Sequence, residues 1–228
     1  IIMMLNKFLN EYENEIREIL DALHDCYFDE LDDYTFDESV VAPFNDSYKK
    51  PFRAANGATK GVLIFPNFGF VIKIPFIYCD GDEMCGAQDG VNAWDYCSQE
   101  ACRYEMAEEE GFGDIFLETE LLGEVNNHPV YIQPYADILG GMDSDNYNSN
   151  HRSSTDIDRT LVKEINNNEH YAWLDPSWEA DLLVQYGVEI FKKFKKYLKD
   201  NWITDLRDAN IGYVGKKPVL VDYAGFNE

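Results

Sequence analysis

The chain has 228 residues, 19 Lys+Arg against 43 Asp+Glu, and a formal net charge of −24. With 45% hydrophobic and 14% aromatic residues it is too apolar for a disordered acidic chain, and long enough for one large domain or two small lobes. The acid excess speaks against direct contact with nucleic-acid phosphates or an anionic membrane, because both attract lysine and arginine.

Leu5, Phe8, Leu9, Tyr12, Ile16, Ile19 and Leu20 recur at helical spacing among acids, which predicts an amphipathic helix over residues 3–25. The opening residues fit neither a signal peptide nor a membrane span. Residues 28–39 hold six acids and no base, and read as a solvated acidic turn or short helix. Asn56 to Gly61 reads as a turn between strands. Residues 62–65 and 68–74, separated by Pro66-Asn67, read as a hairpin of aromatic and β-branched residues.

A Gly/Asp-rich loop over 80–90 precedes a second predicted helix, 93–110, ended by Gly111. Two more strands, 115–122 and 129–133, flank Asn126-Asn127, and 140–170 reads as an Asn/Ser/Asp-rich loop. Asp175-Pro176 supplies an N-cap and a first-turn proline for a long helix to about Asn201. That helix is expected to bury Leu182, Leu183, Tyr186, Ile190, Phe191, Phe194 and Leu198. Its lysines (192, 193, 195, 196 and 199) form a solvated face in this reading. Five cysteines without a C-x-x-C pair, and four scattered histidines, fit reduced thiols and a cytoplasmic chain rather than a zinc site.

The last stretch carries the chemistry. Asp205-Leu206-Arg207-Asp208-Ala209-Asn210 leads into a hairpin that turns at Gly215 and ends at Asp222. Such a hairpin brings Asp205, Asn210 and Asp222 to one edge. An amide and a carboxylate oxygen suit Mg²⁺, a hard cation that enters with substrate phosphates, while Asp205 is left to accept a hydroxyl proton.

These residues resemble the protein-kinase-like superfamily, which includes aminoglycoside-type small-molecule phosphotransferases. Val71-Ile72-Lys73 resembles the strand whose lysine meets the α/β-phosphates. Glu100 on the next helix is placed like its partner acid, with Glu105 the weaker alternative on another side of the helix. Gln133-Pro134-Tyr135-Ala136 resembles the adenine-contacting hinge, and Asn56 to Gly61, with Gly57, Lys60 and Gly61, occupies the slot of the phosphate loop. The pattern departs at Ile203-Thr204, where protein kinases carry His-Arg, at the loop's two glycines, and at Asp222-Tyr223-Ala224-Gly225, whose glycine is one place late.

The resemblance implies an α+β, two-lobed fold with an antiparallel-sheet N-lobe and a truncated helical C-lobe, since the sequence stops six residues after Asp222. The expected division is a helical extension over 1–45, an N-lobe with hinge over 46–136, and the C-lobe over 137–228. It also implies ATP and Mg²⁺ as cofactors. Lys73 held by Glu100 would act on the phosphates, Asn210 and Asp222 on the metal, and Asp205 on an acceptor hydroxyl of a protein or small molecule. A partner protein, self-association or the N-terminal helix is expected to cover the face left by the missing helices. The alternatives are a kinase-like binding module acting through a protein partner and an acidic mimic of DNA.

Overall fold

Helical periodicity and an apolar stripe place α1 at Glu13–Leu23, where Ile16, Ile19, Ala22 and Leu23 are buried. The computed structural model describes residues 9–77, 87–88, 91–92, 95–141, 156–166 and 174–224. After α1 the acidic stretch does more than face solvent. Asp32 accepts from the backbone N–H groups of Tyr34 (2.9 Å) and Thr35 (2.8 Å) and so forms a local turn. A π-helical turn, Asp37–Val41, then runs into α2, Ala42–Ser47. Leu31, Phe36, Val40 and Phe44 point inward from between the acids and are buried, which a count of charges could not reveal.

Five strands follow: β1 (Arg53–Asn56), β2 (Lys60–Phe65), β3 (Phe70–Pro75), β6 (Glu120–Val125) and β7 (His128–Pro134). They form one sheet in the order β1-β2-β3-β7-β6, with every neighbouring pair antiparallel. Two short strands, β4 (Ala87–Gln88) and β5 (Val91–Asn92), pair with each other; the rest of the 80–90 loop lies outside the described residues. The strand expected from residue 115 starts at Glu120 instead, because Ile115, Phe116 and Leu117 are fully buried and tied elsewhere: Leu117 donates to the Leu220 carbonyl at 2.9 Å. Asn126 and Asn127, at φ +52° and +64°, make the two-residue β6–β7 turn. The Asn126 amide donates to the carbonyls of His24 (3.1 Å) and Cys26 (3.3 Å), pinning the end of α1 to the sheet.

Strand alternation gives this sheet two faces of different character. Leu63 and Phe65 of β2, Phe70, Ile72 and Ile74 of β3, and Val130 and Ile132 of β7 pack with Ile16, Ile19, Leu23, Phe36 and Phe44 in one apolar core. The opposite face carries Lys60, Lys73, Tyr131 and Gln133, all buried. The apolar side of α1, expected to shield the C-terminal half, is thus occupied in the sheet's own core. Buried residues between 16 and 44 share this core, and the chain divides into one compact unit of Ile1–Met106 with Glu118–Tyr135 and a second of Ala107–Leu117 with Ala136–Glu228.

α3 spans Tyr96–Glu109 and stops before Gly111. In the second unit, α4 (Asp156–Ile165) is helix where the sequence reads as loop. α5 (Pro176–Asp200) begins as expected, with Asp175 Oδ1 accepting from the N–H of Ser177 (2.8 Å) and Trp178 (3.0 Å). It is interrupted at Gly187, whose φ of +81° and ψ of +165° are accessible only to glycine. Of its lysines, Lys192, Lys193, Lys196 and Lys199 are exposed. Lys195 is not: it pairs at 2.5 Å with Glu179, a buried acid that Asn166 of the α4 end also contacts. A small sheet, β10 (Lys217–Leu220), β9 (Ile211–Val214) and β8 (Asp137–Ile138), closes this unit, with Trp178 Nε1 donating to the Gly212 carbonyl at 3.1 Å. The architecture is mixed α+β around an antiparallel sheet. Among the described residues no helix is long and apolar enough to cross a membrane.

Candidate functional site

The polar face of the five-stranded sheet is built from its register. Lys73 lies opposite Val62 on β2 and opposite Tyr131 on β7, while Lys60 lies opposite Pro75. The two lysines are therefore diagonal neighbours on one face. α3 meets that face through two acids. Asp95 caps the helix, its Oδ1 accepting from the Ser98 N–H at 2.9 Å, while its Oδ2 accepts from the Tyr131 hydroxyl at 2.5 Å. Burial raises the Asp95 pKa, against the hydrogen bonds from Tyr131, Ser98 and Cys97, which lower it. Burial also pushes the Tyr131 hydroxyl up, so it stays protonated and remains the donor.

Further along α3, Glu100 is fully buried. Its Oε2 accepts from Lys73 Nζ at 2.5 Å and from Thr119 Oγ1 at 3.1 Å, and its Oε1 pairs with Lys60 Nζ. Gln133 Nε2 donates to Thr119 Oγ1 at 2.8 Å and extends the network along β7. Glu100 is thus the acid that meets Lys73; Glu105, five positions later, is turned about 140° around the helix and is exposed. Cys97 is buried in the same environment, and burial holds its thiol well above the ordinary value.

The other residues singled out in this unit are placed as follows. Gly57 closes the β1–β2 turn, its N–H donating to the Lys60 carbonyl at 3.0 Å. Gly61 is a packing position: a Cβ there would stand 2.0 Å from the buried Phe36 ring. Tyr135 is half-buried, its hydroxyl accepting from Arg53 at 3.0 Å and its N–H donating to the Gly69 carbonyl at 2.8 Å.

The second cluster lies in the second unit, where α5 ends. Trp202 takes a left-handed conformation (φ +54°) and its N–H reaches the Lys199 carbonyl, while Ile203 N–H reaches Leu198 at 3.0 Å. This paired closure of a helix normally uses glycine where Trp202 stands. Asp205 follows. The Arg207 guanidinium forks onto it, Nε to Oδ1 and a terminal nitrogen to Oδ2, both at 3.1 Å. Asn210 is buried, and its amide N–H₂ donates to the Asp205 backbone carbonyl at 2.7 Å. The Asn210 carbonyl accepts in turn from the N–H groups of Val221 (2.8 Å) and Asp222 (3.2 Å). Asp205, Asn210 and Asp222 are therefore brought together by backbone bonds of the loop and hairpin, as their spacing predicts. Gly225 lies outside the described residues.

The Asn210 side-chain nitrogen is occupied by the Asp205 carbonyl; its amide oxygen and the Asp222 carboxylate are oxygen donors of the chemical type that a hard cation such as Mg²⁺ takes. Among the described residues, no group of three or more His, Cys, Asp or Glu side chains gathers as a metal site. Thr119, Asp95 and Tyr131 belong to the first cluster and stand outside the motifs read from sequence; Arg207 lies inside the 205–210 stretch, but the motif assigns it no role there. Tyr131 and Gln133 did carry a signal: they are polar residues at alternate positions of an otherwise apolar strand. Compared with known proteins, the chain matches no family model, no curated protein and no solved structure.

Proposed function

We propose that the chain is an ATP-dependent phosphotransferase of the protein-kinase-like type. The observation that carries this reading is the buried pair of Lys73 on a central strand and Glu100 on α3, with Thr119 as third partner. A lysine kept 97% from solvent against one carboxylate is held in a fixed place, which suits an anchor for phosphate oxygens. The remaining roles are assigned by the resemblance of Asp205, Asn210 and Asp222 to the loop and hairpin of that family. Asn210 and Asp222 would hold Mg²⁺, which neutralises phosphate charge when bound. Asp205 orients the acceptor hydroxyl, whose oxygen bonds to the γ-phosphorus as the bond to the β–γ bridging oxygen breaks. ADP leaves with that oxygen and the hydroxyl proton passes to Asp205.

One observation favours a second reading, a binding module of the same scaffold without transfer activity: both oxygens of Asp205 are engaged by Arg207. Thermal melting with and without MgATP, followed by radiolabelled ADP release, separates the two. The transferase reading expects a ligand-dependent rise in melting temperature, turnover, and loss of turnover in Asp205→Ala. Binding without turnover selects the module. Absence of MgATP binding, or full turnover in Asp205→Ala, overturns the transferase.

A further inference from the structure

Glu100 is shared. Lys60 at the start of β2 holds Oε1, and Lys73 in the middle of β3 holds Oε2. Both lysine side chains are at least 94% buried, and Glu100 is completely so. A solvated surface lysine could be placed anywhere on a long flexible stem, whereas these two are fixed on adjacent strands of one sheet face by a common acid. The β1–β2 turn is short, and Gly61 of β2 is committed to packing on Phe36, which leaves Lys60 as the charged group at this edge.

The arrangement has a consequence for anion binding. A single buried Lys–Glu pair that gives its ammonium to a phosphate leaves the carboxylate poorly compensated, which is costly in a low-dielectric interior. Here either lysine can turn toward an anion while the other, together with Thr119, keeps Glu100 paired. Two ammoniums on neighbouring strands also match a ligand with successive anionic groups better than a single phosphate.

We propose that Lys60 and Lys73 form a two-point anchor for the polyphosphate chain of the ligand, with Glu100 as the counter-ion common to both. This rests on the phosphotransferase reading only for the identity of the nucleotide; the anchor itself is a property of the first unit.

Isothermal titration of the full chain with MgATP, and separately with inorganic tripolyphosphate, tests it in wild type, Lys60→Met, Lys73→Met and the double variant. Circular dichroism verifies folding, and Lys60→Gln replaces Lys60→Met if the latter unfolds. Each single variant is expected to weaken both ligands by about tenfold or more, the usual worth of a charged hydrogen bond, and the double variant to lose binding. Wild-type affinity in Lys60→Met and Lys60→Gln, with loss confined to Lys73→Met, overturns the two-point anchor and leaves the phosphotransferase standing. Lysine-dependent binding of tripolyphosphate with no binding of MgATP keeps the anchor and overturns the phosphotransferase. Binding of neither ligand by wild type overturns both.

Discussion

Gly61 separates two meanings of a glycine at the start of β2. As part of a phosphate loop, it would be needed for the close approach of backbone to ligand. In the structure, a Cβ on Gly61 would meet three atoms of the Phe36 ring at 2.0, 2.3 and 2.4 Å, well inside van der Waals contact. The strand cannot give way, because Gly61 is paired on both sides, with Asn56 and with Ile74. The ring must move by more than 1 Å instead, within a core where it is fully buried beside Phe76 at 5.9 Å. Overpacking of this kind costs about 2–3 kcal/mol.

Gly57, four residues earlier, has open space around its Cβ position and an ordinary φ, so Gly57→Ala is expected to be neutral or to stabilise by about 0.4–1 kcal/mol. Urea unfolding followed by circular dichroism should show Gly61→Ala falling by roughly 1 M in midpoint while Gly57→Ala holds. In a Phe36→Ala background the cost of Gly61→Ala should vanish, giving a coupling energy of about 2–3 kcal/mol. Equal midpoints for the two glycine variants, or no coupling to Phe36, would refute the packing argument.

Trp202 tests the end of α5. It is 73% exposed and left-handed, so it contributes little burial where glycine would relieve strain; Trp202→Gly is expected to raise stability by about 1 kcal/mol, and a loss of stability would show that the indole is held by contacts of its own. His128 tests pH. Burial lowers its pKa, against the opposing effects of its hydrogen bond to the Pro75 carbonyl and the charge of Asp95, and its ring stacks on Phe28 at 4.9 Å. The folded state then binds fewer protons than the unfolded one, so stability contributed by neutral His128 is present above pH 6.5 and is lost as pH falls through 6.5 toward the lowered value. Comparing urea midpoints at pH 7.5 and 5.5, His128→Gln should lose less than wild type on acidification; an identical loss in both would remove His128 from the acid response.

Much of the fold could be read locally, for reasons that the structure makes plain. Apolar spacing located α1 and α5, Asp175-Pro176 fixed the start of α5, and Asn126-Asn127 fixed a hairpin, because caps and two-residue turns are decided by a few adjacent residues. Ile115 to Leu117 misled because a short apolar run satisfies a strand or any buried segment alike. The acidic stretch misled in the opposite sense: six carboxylates hid Leu31 and Phe36, and charge patterning carries no information about which side of a turn lies inward. In the second cluster, Asp205 and Asn210 were legible from spacing, while the Arg207 fork on Asp205 was not, since the same spacing leaves a guanidinium free to face solvent.

The first cluster shows a deeper limit. Glu100 follows Lys73 by 27 residues and Lys60 by 40, so nothing in the chain's order favours one lysine over the other. Register decides it. Once Lys60 faces Pro75 and Lys73 faces Val62, both stems leave the same side of the sheet, and a helix on that side meets both with one acid. That side is available for polar groups because α1, α2 and Phe36 cover the other, so the N-terminal segment determines, through packing alone, that the polar face is buried against α3. The net charge of −24 acts over a screened distance of about 8 Å in physiological salt and repels anions generally. In the proposed anchor, two lysines act on an anion at contact range, where a low dielectric strengthens their attraction relative to that screened field. On that proposal, affinity for anions is a question about one sheet face, not about overall charge.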